Sequence, residues 1–139
     1  MISSLIVILP VNPEYCFTHS IDENALKNNY MAIVDLIKDI REFPTAWFCA
    51  NDGAAAVLIN ALENLGKKVP DDISIIGFDD IDQCKMISPQ LTTIRVEKEL
   101  MGILAVRELL WRMENMQEPH RHIRMAVNLI ERDSVRKIG

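Results

Sequence analysis

Two points along the chain set side-chain polarity directly after an apolar run. Asn51-Asp52 follows residues 45–49, and Asp79-Asp80 follows residues 73–78. An ionised aspartate accepts hydrogen bonds from hydroxyls, and an asparagine both donates and accepts. A carboxylate beside a carboxamide therefore suits a neutral, hydroxyl-rich ligand such as a sugar or a nucleoside. The same residues have a plainer reading: Asn51 or Asp52 can cap the next helix, and Asp80 can serve a turn.

Other chemistry is poorly supplied. Gly53, Gly66, Gly77 and Gly102 are isolated, so there is no glycine-rich phosphate loop. No nucleophile elbow occurs, and no cysteine stands beside a histidine base. Asp79, Asp80 and Asp82 crowd together, but the longer glycine-containing pattern of a calcium loop is missing. His120 and His122 would share one face of a strand, and two histidines lacking a third ligand make a weak metal signal. Trp47, Phe48 and Trp111 read as core rather than as a platform for bases. The expectation is no catalytic residue, no metal and no cofactor.

The polar pairs need elements to hold them. Residues 6–8 and 15–18 read as short strands. Ser20 and Glu23 have capping-box spacing ahead of an apolar stripe through Leu26, Tyr30, Ile33, Val34, Ile37 and Ile40. That stripe predicts a helix over about residues 24–41. Residues 45–49 predict a strand buried on both faces. A helix follows, with Val57, Leu58, Ala61, Leu62 and Leu65 inward and Gly66 as its C-terminal cap. Residues 73–78 and 91–96 predict further strands, and about 97–115 a helix with Leu100, Ile103, Leu104, Leu110 and Trp111 on one arc. Residues 122–130 alternate as a last strand. Strands alternating with helices predict an α/β fold: a doubly wound parallel sheet with helices on both faces. Ligands bind such sheets outside the carboxyl ends of the strands, where both polar pairs fall.

The bulk properties agree. With 139 residues the chain suffices for a single core. Its 49% hydrophobic and 25% charged residues are an ordinary globular mix. A net charge of −5 excludes a broadly basic nucleic-acid-binding surface. No apolar run reaches membrane-helix length, and no export-signal pattern opens the chain. Cys16, Cys49 and Cys84 are dispersed, which predicts free thiols in a reducing, cytoplasmic setting.

Four segments in order carry a resemblance: PTAWFCAND (44–52), LGKKVPDDISIIGFDD (65–80), SPQLTTIRV (88–96) and ELMGILAVRELL (99–110). Together they resemble the C-terminal part of the effector-binding domain of LacI/GalR bacterial transcriptional regulators, over about residues 10–135. Residues 1–9 do not match. The resemblance implies a two-lobed, periplasmic-binding-protein-like effector domain, of which residues 10–139 supply the C-terminal lobe. The helix-turn-helix headpiece, the hinge and most of the first lobe are expected to be absent from this chain. Small effectors, such as sugars or nucleobases, bind between the lobes and change affinity for operator DNA. By resemblance Asn51 and Asp79 face the effector, and Asp80 orients the loop. Ile59, Cys84 and Met86 are expected at a homodimer interface.

Lys98 stands where several relatives place an aromatic beside the ligand. The expected function is effector sensing and dimerisation within a repressor, with operator contact only through the intact regulator and no membrane association. The alternative is a periplasmic-type sugar-binding protein. The helix over 97–115 packs on the first lobe in the family, so in this chain its apolar arc is expected to drive self-association.

Overall fold

The computed structural model describes residues 30–137. The expected strands at 6–8 and 15–18, the Ser20–Glu23 capping box, Cys16 and residues 1–9 lie outside the described residues.

Helix α1 (Tyr30–Ile37) is the described part of the expected first helix, and it stops four residues early. Its stripe Ile33, Val34 and Ile37 is buried. After it the chain turns, with the Ile40 amide bonding to the Ile37 carbonyl, and Ile40 and Phe43 pack back on the core. Strand β1 (Ala46–Phe48) leads into helix α2 (Asp52–Asn64). The end of α2 is a double backbone cap: Gly66 N–H bonds to the Glu63 carbonyl and Lys67 N–H to the Leu62 carbonyl. That geometry puts Gly66 at φ 72°, which glycine adopts at least cost. Strand β2 (Ser74–Asp79), a short 3-10 turn (Asp82–Lys85) and strand β3 (Thr92–Arg95) follow. Helix α3 (Lys98–Glu114) and strand β4 (Asn128–Ile130) complete the described chain.

The sheet order is β1-β2-β3-β4. The first three strands are parallel, and β4 runs antiparallel to β3. The architecture is α/β, as expected, with an antiparallel strand added to the parallel set. The last strand is confined to Asn128–Ile130, and residues 122–127 are not strand.

Register sorts the side chains. Trp47 pairs with Ile75, and Gly77 with Thr93, on the face covered by α2. There Ile75, Leu62, Ile59, Ala55 and Leu91 form one core with Ile33 and Ile37 of α1. The buried positions of α2 are Asp52, Ala55, Ala56, Ile59, Ala61 and Leu62, so the expected Ala61 and Leu62 do face inward, while Val57, Leu58 and Leu65 are only partly covered. The inward stripe is thus rotated from the one the larger side chains suggested, because small Ala55 and Ala56 allow close approach.

The second face carries Phe48, Ile76, Phe78, Ile94 and Leu129. Phe48 is 57% exposed, so the expectation that β1 is buried on both faces is corrected. Cover of the second face is thin among the described residues: α3, whose Met101 and Leu104 share a groove with Phe78, has no buried residue.

Candidate functional site

The carboxyl ends of β1, β2 and β3 meet at a polar hub built on Asp52. This residue opens α2 and is 2% exposed. Its Oδ1 accepts from the Thr93 hydroxyl at 2.5 Å, and its Oδ2 accepts from the Ile81 N–H at 2.9 Å. One carboxylate thereby ties the β1–α2 turn, β3 and the segment after β2 together. Its room comes from Gly77. A Cβ there would fall well inside van der Waals distance of Asp52 Oδ1 and 2.9 Å from Leu91 Cδ2. Burial, then the Asp52 hydrogen bond and charge, push the Cys84 thiol up to about 12. Burial, then the Asp52 charge, do the same to Cys49, also to about 12. Both thiols are free and buried, which makes them packing groups rather than nucleophiles.

Asn51 caps α2. At φ −155° its Oδ1 accepts from the Ala54 N–H at 2.8 Å. The capping role weighed for this pair thus falls to Asn51, and the carboxylate beside it turns inward. Asn51 itself is exposed.

The turn after β2 is unusual. Asp79 has φ 113° and Asp80 φ 53°, so two successive non-glycine residues occupy the left-handed side of backbone space. Asp80 is gripped twice: Arg95 Nε donates to Oδ2 and Arg132 NH2 to Oδ1, each at 2.6 Å. Burial pushes the Asp80 carboxyl up, but hydrogen bonds and charges from Arg132 and Arg95 outweigh it and hold the group below its ordinary value. Lys98 Nζ donates to the Asp79 carbonyl at 2.5 Å. The Asp80 oxygens are therefore spent on the scaffold, whereas the half-buried Asp79 is held by Lys98 only through its backbone carbonyl.

Asp79 borders an open groove of about 610 Å³. Phe78, Val96, Met101, Leu104 and Met125 supply apolar walls, and Lys98, Glu108 and Arg121 supply charge. Arg121 sits 3.4 Å over the Trp111 ring and 3.8 Å from Glu108, which fixes the segment after α3 as the far wall. Asp79 and Lys98 come together at this groove; Asn51 and Asp80 are not among its walls.

Of the residues expected at a dimer interface, Ile59 and Cys84 are core, at 3% and 1% exposure. That expectation is corrected for both, because neither side chain has surface to offer. Met86 is 82% exposed. His120 and His122 are both exposed in a non-strand segment. Among the described residues no three His, Cys, Asp or Glu side chains gather as a metal site, and no helix is long and apolar enough to cross a membrane.

Thr93, Arg95 and Arg132 escaped sequence reasoning. A glycine amid β2 apolar residues marks a close approach, and the Thr92-Thr93 pair in a buried strand marks a partner for it. Nothing local marks Arg132.

Comparison with known proteins places this geometry. The periplasmic binding protein-like domain family matches residues 10–135. The HTH-type transcriptional repressor PurR of Vibrio vulnificus (strain CMCP6) is 40% identical over 105 residues, covering 76% of this chain and 31% of the relative. PurR of Vibrio parahaemolyticus is 34% identical over 131 residues, covering 94% of this chain and 38% of the relative. The chain thus spans about a third of the length of the curated relatives it matches. Among solved structures, a LacI family transcriptional regulator from Enterococcus faecium with bound ribose aligns with TM-score 0.64 and 33% identity, over 79% of this chain and 40% of that one. The lac repressor dimer bound to operator and an anti-inducer aligns with TM-score 0.67 and 28% identity, over 76% of this chain and 37% of that one. These relatives are regulators, which favours a regulator over a solute carrier.

Proposed function

The chain belongs to the LacI/GalR family within the periplasmic binding protein-like fold, and from that premise we propose that it is the effector-sensing lobe of a cytoplasmic transcriptional repressor. The effector is a small polar molecule of the sugar or nucleobase class, met at the carboxyl ends of β1 and β2. Asp79 accepts hydrogen bonds from it, and the exposed Asn51 carboxamide supplies a second contact across the strand ends. Asp80 orients the loop, Lys98 and the apolar wall of the groove complete the pocket, and Met86 lies toward a homodimer partner. The curated relatives are repressors, which supports reading the chain as a binding module rather than an enzyme. Operator DNA is contacted by the intact regulator, and a net charge of −5 disfavours phosphate binding by this chain alone.

The observation that carries this reading is Asp79. It ends β2 in a left-handed conformation and lines a groove of about 610 Å³, room enough for a monosaccharide. The ribose held by a relative of the same fold sets the first probe. A thermal-shift screen with D-ribose and hypoxanthine tests it. One of them raises the melting temperature of the chain, as a native-state ligand must, and Asp79→Asn abolishes the rise. A rise that survives Asp79→Asn would place the site elsewhere.

A further inference from the structure

We propose that Arg132 is a positioning residue for effector recognition: through Asp80 it holds Asp79 in the left-handed conformation that sets the Asp79 carboxylate at the groove. This rests on the reading that Asp79 meets the effector.

The argument starts from the backbone. Two successive non-glycine residues at positive φ persist only where their surroundings over-determine them. Four contacts do so here: Arg132 and Arg95 on the Asp80 carboxylate, Lys98 on the Asp79 carbonyl, and Asp52 on the Ile81 N–H. They differ in strength. The Arg95 side chain is 44% exposed and that of Lys98 is exposed, so water competes with both. The Arg132 side chain is 9% exposed. Its planar fork spans two acceptors, with NH2 on Asp80 Oδ1 and NH1 on the Leu91 carbonyl, both at 2.6 Å. A lysine could serve only one of them.

Arg132 also stands on a rigid base. Its own N–H bonds to Thr92 Oγ1 at 2.9 Å, and the next two residues donate N–H groups to the Gln90 carbonyl at 3.0 Å. Ser134 Oγ accepts from the Thr92 N–H and donates to the Ile75 carbonyl. The segment after β4 is thus stitched across β3 and β2, and Arg132 projects from it to the turn 52 positions away in sequence. It is not among the groove walls, so its effect on a ligand passes through Asp80 and Asp79.

The test uses the full chain with Arg132→Met, Arg132→Lys and Asp80→Asn, read by amide NMR and by calorimetric titration with D-ribose and hypoxanthine. In Arg132→Met the Asp79–Ile81 amide resonances shift and the Ile81 amide exchanges about tenfold faster, while the core amide of Leu62 keeps its protection. Affinity for the probe that binds falls about tenfold. Arg132→Lys recovers part of both losses, and Arg132→Met with Asp80→Asn is no worse than either alone. If Arg132→Met fails to fold, Asp80→Asn and Arg132→Lys carry the same two readouts. Unmoved Asp79–Ile81 resonances in a folded variant overturn the proposal, as does a released turn with undiminished affinity. If the unaltered chain binds neither probe, the role of Arg132 in recognition falls with the functional reading, and the NMR arm shows separately whether Arg132 holds the turn.

Discussion

The turn after β2 and helix α3 touch through one hydrogen bond, Lys98 to the Asp79 carbonyl, yet they are held by opposite means. The turn is polar, strained and densely satisfied: two arginines, a lysine and a buried aspartate fix three successive residues. Helix α3 is regular over 17 residues and buries none of them. Its Ile103, Val106, Leu110 and Met113, spaced three, four and three apart, are each more than half exposed. The turn is complete within the described residues. The helix carries an apolar stripe of a kind that soluble monomers rarely leave bare. Hence the turn is fixed by contacts among the described residues, and α3 leaves its apolar stripe uncovered by them.

The hub beneath the turn gives the largest expected effect. Asp52→Ala strands the Thr93 hydroxyl and the Ile81 N–H in a buried site, and it should cost about 3 kcal/mol of unfolding free energy. Gly77→Ala should follow closely, because its methyl displaces the same carboxylate. Urea denaturation checks both as a lower midpoint at unchanged slope. A loss under about 0.5 kcal/mol for Asp52→Ala would mean that the hub is wet and the contrast with α3 false.

The thiols over the hub come next. Cys49 and Cys84, pushed up to about 12, stay protonated and buried at pH 8. Iodoacetamide should label them at least about a hundredfold more slowly in the native chain than in urea, since only the thiolate reacts and only when reached. Peptide mapping reads each site. The raised values also set a sign. Above the ordinary thiol value of 9.0 the unfolded chain loses protons that the folded chain keeps, so stability declines as pH rises past that point. Fast native labelling would show the hub opening freely.

Acid acts on the turn more gently. The folded Asp80 carboxyl lies below its ordinary value of 3.8. Its stabilising contribution is therefore complete above 3.8 and is lost as pH falls through the lower, folded value. Urea midpoints from pH 5 to pH 2 should show that loss in the unaltered chain and lack this component in Asp80→Asn. Parallel curves for the two would remove Asp80 from the set of anchors.

How much of this was legible depends on range. The β1, β2 and β3 positions followed from short apolar runs closed by polar residues, and the cap at Asn51 and the stop at Gly66 from local turn chemistry. Those signals lie within a few residues of their effect. The inward direction of Asp52 did not follow, because an acid in a first helical turn looks the same in sequence whether it faces water or a glycine on another strand. Arg132 was hidden further: its partner is 52 positions away and its own segment reads as a plain alternation. Ile59 and Cys84 were assigned to an interface by resemblance, while the intervals among Ala55, Ile59 and Leu62 already marked a core stripe. The thinness of the cover on the second face was also out of reach, since apolar alternation says that a face wants cover and not how much of it a chain supplies.

The smallest effect on folding should come from α3, and it is the sharpest test of the comparison. Val106→Gln with Leu110→Gln replaces two side chains that the described fold leaves in water, so the unfolding free energy should stay within about 0.5 kcal/mol of the unaltered chain. Association should respond instead. Covering such side chains is worth about 1.5–3 kcal/mol each, and a second copy offers the same stripe in a two-fold arrangement. Light scattering across a dilution series should show self-association of the unaltered chain at micromolar concentration and a monomer for the double variant. A chain that stays monomeric without aggregating would mean that α3 finds its cover within the same polypeptide. In that case the double substitution would cost folding stability as heavily as a change at the hub, and the difference between the two regions would vanish.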